Sequence, residues 1–145
     1  MLLSIRAGIG QLNPSAFNET LKTHTLSALA LTRFGPAVLQ ATDVPKADAA
    51  LLADSLVTAE LWGHASHGML RLPWYVARLR NGAMVANSPG TLVMDNGAVV
   101  VIDGQHGIGQ VLTDRAVKLG VERACQFGIS AVGARQGLPR GRARA

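Results

Sequence analysis

The segment Gly63-His64-Ala65-Ser66-His67-Gly68-Met69-Leu70-Arg71 gathers two histidines, a serine and an arginine between glycines, in a chain with only four histidines. If residues 66–71 are helical, His67 and Arg71 stand four apart and share a face. An imidazole that moves a proton then lies beside a guanidinium that grips a carboxylate. That pairing suits oxidation or reduction of a carbon in a small acid. The same spacing also fits a satisfied connection residue followed by a solvated helix start, and taken alone it favours the connection. For His64 the expected role is structural, bonding the end of the helix that stops at Gly63.

Two other arrangements of residues could carry chemistry. His64 and His67 have a spacing compatible with one metal, but a site needs a third protein ligand. His24, His106 and Cys125 are scattered along the chain, so no metal is expected. Gly104, Gly107 and Gly109, followed by Gln110, lie between an expected strand and helix, where backbone amides can face an anion. Their gaps run in the reverse order of the dinucleotide fingerprint G-x-G-x-x-G. The competing explanation is a strand-to-helix turn that needs glycine for steric reasons.

The elements that must hold these residues are legible from periodicity. Residues 1–24 contain Gly8, Gly10, Asn13 and Pro14 without a sustained period and read as a loose leader. From Leu26 apolar residues recur at helical spacing, with a kink or a break expected at Gly35-Pro36. Asp43-Val44-Pro45 opens a second helix, through Leu52, Leu56 and Glu60 to Gly63. A third helix spans about Leu72 to Arg80 and closes at Asn81-Gly82. After Pro89 two β-rich runs, 91–94 and 98–102, flank Asp95-Asn96-Gly97, a hairpin signal. A helix over about 108–126 and a strand at 129–132 follow. The expected class is therefore mixed α/β: a helical region over 25–90, then a hairpin and strand–helix–strand over 91–135.

Composition narrows the partners. The chain has 145 residues, 48% of them hydrophobic and 16% charged, which fits a packed globular protein. Apolar runs break before the roughly 18 residues of a membrane span, and the start lacks the pattern of a secretory signal. One cysteine, Cys125, fits a reducing cytoplasm. The net charge is +5, but Arg140, Arg142 and Arg144 account for three of it. With no basic run interleaved with aromatics, specific nucleic-acid binding is not expected.

Residues 53–68, Ala53-Asp54-Ser55-Leu56-Val57-Thr58-Ala59-Glu60-Leu61-Trp62-Gly63-His64-Ala65-Ser66-His67-Gly68, resemble the signature segment of the malate/L-lactate dehydrogenase type 2 family. Leu70-Arg71-Leu72-Pro73-Trp74-Tyr75, Val101-Ile102-Asp103-Gly104, Gly107-x-Gly109-Gln110 and residues 116–135 continue the resemblance in register. It implies an NAD(P)-dependent oxidoreductase, using NAD or NADP, that acts on a 2-hydroxy acid or its 2-oxo counterpart. It also implies a cofactor domain unlike the Rossmann topology and a homodimer with sites near the subunit contact. On the matching positions, Ser66 and His67 fall near the reacting centre and Arg71 suits the substrate carboxylate. Gly107, Gly109 and Gln110 fall in the cofactor-binding domain. With these flanking matches, the site reading of His67 and Arg71 outweighs the connection.

The resemblance fades after Arg135. Members carry an Asn-His-x-Gly-type motif there, whose histidine is usually assigned as acid/base, and they continue much further. Here Gln136-Gly137-Leu138-Pro139-Arg140-Gly141 takes its place within a basic tail, 136–145, without period or cap. Leu-Pro-Arg-Gly written CTG-CCA-CGT-GGG becomes Cys-His-Val-Gly one base later, so a frameshift is the expected origin of the tail. An incomplete, inactive piece of a dehydrogenase is the resulting expectation. The rival readings are a non-catalytic remnant that associates with a full-length homologue, and a small anion-binding module.

Overall fold

The computed structural model describes residues 2–5 and 24–135. Along the chain lie β1 (Leu2–Ile5), β2 (His24–Ser27), α1 (Ala28–Gln40), α2 (Lys46–Leu61), α3 (Leu72–Arg80), β3 (Thr91–Asn96), β4 (Val99–Asp103), α4 (Gly109–Phe127) and β5 (Ala131–Arg135). Helices gather in the first part and a three-stranded sheet in the second, as the sequence leads one to expect. Within the stretch read as a loose leader, Leu2–Ile5 instead pairs antiparallel with His24–Ser27.

Ser27 caps α1, its hydroxyl accepting the Ala30 amide at 3.1 Å. Gly35-Pro36 does not break the helix, because α1 runs through Pro36. Leu31, Gly35 and Leu39 form a buried stripe on both sides of the proline, so packing on α2 outweighs the lost backbone bond. Gly35 lies so close to α2 that a Cβ there would stand 2.8 Å from the Ala53 Cβ.

α2 carries the centre of the core. Ala49, Leu52, Ala53, Leu56, Val57 and Glu60 recur at helical spacing and are all buried. The five apolar ones pack with Leu31, Leu39, Met69, Leu72 and Tyr75 in one cluster that extends to Ile108 and Val111 at the start of α4. Leu52 is fully buried, so Leu52→Ala is expected to cost about 2–5 kcal/mol of stability, read from urea unfolding.

The sheet order is β3-β4-β5, antiparallel then parallel, with α4 as the crossover between β4 and β5. Val100 and Ile102 alternate inward from β4, and Leu112 and Ala116 are buried on α4. The hairpin turn sits one residue later than Asn96-Gly97. Asn96 pairs with Val99, which leaves Gly97 and Ala98 as the loop, with Gly97 at φ 72°. A glycine at the first of two loop positions is the II′ arrangement. β5 begins at Ala131, two residues after the expected strand start.

Candidate active site

The site segment begins where α2 ends. Gly63 adopts φ 82°, its amide bonds to the Glu60 carbonyl, and the His64 amide reaches the Ala59 carbonyl at 2.8 Å. This pair of bonds is a Schellman closure, for which glycine is the natural residue. The His64 backbone thus has the structural role expected of it.

Residues 66–71 do not form one helix. Two short 3₁₀ turns, Ala65–His67 and Met69–Arg71, are separated at Gly68, which has φ −92° and ψ −148°. The expected shared helical face of His67 and Arg71 is therefore absent. A different link joins them. The Ser66 hydroxyl and His67 Nδ1 are 3.0 Å apart, and Arg71 Nε donates to the Ser66 carbonyl at 2.8 Å. Ser66 ties the two side chains together, one through its hydroxyl and one through its backbone, and all three residues are exposed.

The Arg71 guanidinium also lies 5.9 Å from the Trp74 ring, while Arg78 approaches the same indole at 4.8 Å. Trp74 meets Tyr75 edge to face. The Tyr75 hydroxyl accepts from Gln110 Nε2 at 2.6 Å, which fixes the first turn of α4 against α3.

A cleft of about 1000 Å³ runs between α2 and the start of α4. His64, His67, Asp54, Trp62, Gly109 and Gln110 are among its lining residues. The fold thus brings His67 to the same opening as Gly109 and Gln110, more than 40 positions away in sequence. Ser66 and Arg71 connect to that opening through His67.

The three glycines of the turn divide by task. A Cβ at Gly104 would run into Leu112 Cδ1, and one at Gly107 would stand 2.7 Å from the Ser88 Cβ. Gly107 also pairs with Val85, so its place is in the packed strand-to-helix turn rather than at the cleft. Gly109 has nothing within 4 Å of a Cβ position, and Ile108 gives α4 no side-chain cap. Among the described residues, no group of three His, Cys, Asp or Glu side chains could hold a metal ion. No helix among them is long and apolar enough to cross a membrane.

Sequence reasoning placed Glu60 in α2 but gave it no role. It is 8% exposed, and its Oε1 accepts the Met69 amide at 2.9 Å. The signal was a carboxylate at the last position of an apolar helical stripe.

The malate/L-lactate dehydrogenase family profile matches residues 26–144, and the chain belongs to that family. The matched range includes the tail residues 136–144. The hydroxycarboxylate dehydrogenase B of Escherichia coli is 38% identical over 109 residues, covering 75% of this chain and 30% of that protein. The malate dehydrogenase of Pyrococcus horikoshii has a solved structure that superposes with a TM-score of 0.72 at 35% identity, covering 75% of this chain and 31% of its own. The sulfolactate dehydrogenase of Methanocaldococcus jannaschii gives a TM-score of 0.73 at 34% identity, with 76% and 32% covered. This chain therefore spans about 30% of the length of the curated relatives it matches.

Proposed function

We propose that this chain supplies the substrate-side half of an NAD(P)-dependent dehydrogenase acting on 2-hydroxy acids and their 2-oxo counterparts. The observation that carries the reading is the linkage of Arg71 to Ser66 and of Ser66 to His67, with His67 on the cleft. Arg71 spends Nε on the Ser66 carbonyl and presents its Nη end to a substrate carboxylate. When His67 Nδ1–H donates to the Ser66 hydroxyl, Nε2 is the basic nitrogen and receives the proton of the substrate hydroxyl. In the reverse direction Nε2–H returns that proton to the oxo oxygen.

The residues at the cleft fit a nicotinamide dinucleotide. The open backbone at Gly109 and the uncapped start of α4 suit an anionic group, with Gln110 holding that turn in place. The chemistry such a cofactor supplies is acceptance of the hydride that leaves the carbinol carbon. One relative, the (2R)-3-sulfolactate dehydrogenase of Chromohalobacter salexigens, carries NADP in its name, which supports a nicotinamide dinucleotide as the cofactor. Trp62, Leu70 and Trp74 stand exposed around the site segment, which supports a second copy covering it, as in the implied homodimer. The lone Cys125 supports a reducing, cytoplasmic setting.

Turnover on this reading needs the portion that the relatives carry and this chain does not match. The 145-residue chain alone is expected to show no 2-oxo-acid-dependent oxidation of NADH or NADPH. Its own contribution is tested by titrating the labelled chain with oxamate, a 2-oxo-acid mimic, and following nitrogen resonances. The Arg71 Nε–H and His67 imidazole signals are expected to move together, and Arg71→Lys to abolish the response. A response centred elsewhere, or none at millimolar ligand, overturns the assignment of the carboxylate to Arg71.

A further inference from the structure

We infer that Glu60 is a positioning residue, whose buried carboxylate fixes the break between the two turns that carry His67 and Arg71. The inference rests on reading Ser66, His67 and Arg71 as the site. Glu60 is the last member of the buried stripe of α2, and a carboxylate placed there is costly without a partner. Its Oε1 takes the Met69 amide, which belongs to the first residue of the second turn. The neighbouring Gly68 is pressed on the same side chain, so that a Cβ on it would stand 2.5 Å from the Glu60 Cγ. Gly68 is thus small because Glu60 passes beneath it, and Glu60 brings a side-chain oxygen because the Met69 amide needs an acceptor.

This clamp acts on the catalytic geometry through the backbone. Ala65–His67 precedes the clamped point and Met69–Arg71 follows it. Holding Gly68–Met69 sets the distance over which Arg71 reaches back to the Ser66 carbonyl, and Ser66 in turn holds His67. An apolar residue of similar size would fill the space under Gly68 but leave the Met69 amide unpaired and the break unset.

The test uses the full 145-residue chain, labelled with nitrogen-15, as the Glu60→Asp, Glu60→Ala and Glu60→Gln variants. Glu60→Asp retracts the carboxylate by one methylene. In it and in Glu60→Ala, the Arg71 Nε–H and His67 imidazole signals are expected to shift, with exchange of the Met69 amide rising about tenfold or more. Glu60→Gln keeps an oxygen acceptor and is expected to restore both signals. Val100→Ala, in the fully buried centre of β4, lowers stability without moving either signal. Unchanged Arg71 and His67 signals in Glu60→Asp, or equal movement in Val100→Ala, overturn the inference. No step of this test requires turnover, so its failure leaves the dehydrogenase reading to the activity assays, and their failure leaves the clamp standing.

Discussion

Replacing His67 by alanine is expected to lower kcat about a hundredfold or more when this chain is joined to the remaining 70% of the Escherichia coli relative. The size follows from the contribution of a positioned proton-transfer group, which is lost entirely in the variant. The effect is one of chemistry rather than of folding, since His67 is exposed and exposed substitutions usually change stability within about 0.5 kcal/mol. His67→Asn separates the two functions of the ring. Its amide can still meet the Ser66 hydroxyl, as Nδ1 does at 3.0 Å, but it offers no basic nitrogen to the cleft. That variant is expected to keep KM close to the parent while kcat falls as in alanine. Steady-state rates with a 2-oxo acid and reduced dinucleotide supply the check.

The second large effect is expected from Arg71→Lys in the same joined protein. Lysine keeps the charge but loses the planar fork, so it cannot hold Ser66 at one end and grip a carboxylate bidentately at the other. Hydrogen bonds to charged groups contribute about 1.5–3 kcal/mol, which converts to a loss in kcat/KM of about 10- to 150-fold. Because Arg71 Nε holds the Ser66 carbonyl and Ser66 holds His67, part of the loss is expected in kcat as well as in KM. A rise in KM alone would place Arg71 in uniform substrate binding, without influence on the imidazole.

Much of this fold could be read before the structure. The third helix was expected over 72–80, where α3 lies, because Pro73 suits a first turn and Asn81-Gly82 suits an end. The hairpin and the strand–helix–strand were legible because β-rich runs and turn residues alternate sharply after Pro89. Local signals misled where a tertiary contact decided the outcome. Pro36 sits inside α1 because the stripe of Leu31, Gly35 and Leu39 stays packed on both sides of it. Helical spacing over residues 66–71 would set His67 and Arg71 on one face, whereas a buried carboxylate nine positions before Met69 stands at the break between two turns. Periodicity carries no record of such a bond. The glycine turn was legible as a strand-to-helix connection. Its division into two packing glycines and one open glycine depends on Leu112 and Ser88, which approach from other parts of the chain.

The most direct measurement of the account is 2-oxo-acid-dependent oxidation of NADH or NADPH by the joined protein, run beside its His67→Ala variant at equal thermal stability. The account predicts turnover in the parent and a loss of about a hundredfold or more in the variant. A folded joined protein without 2-oxo-acid-dependent oxidation, or one whose rate is unchanged by His67→Ala, would contradict it.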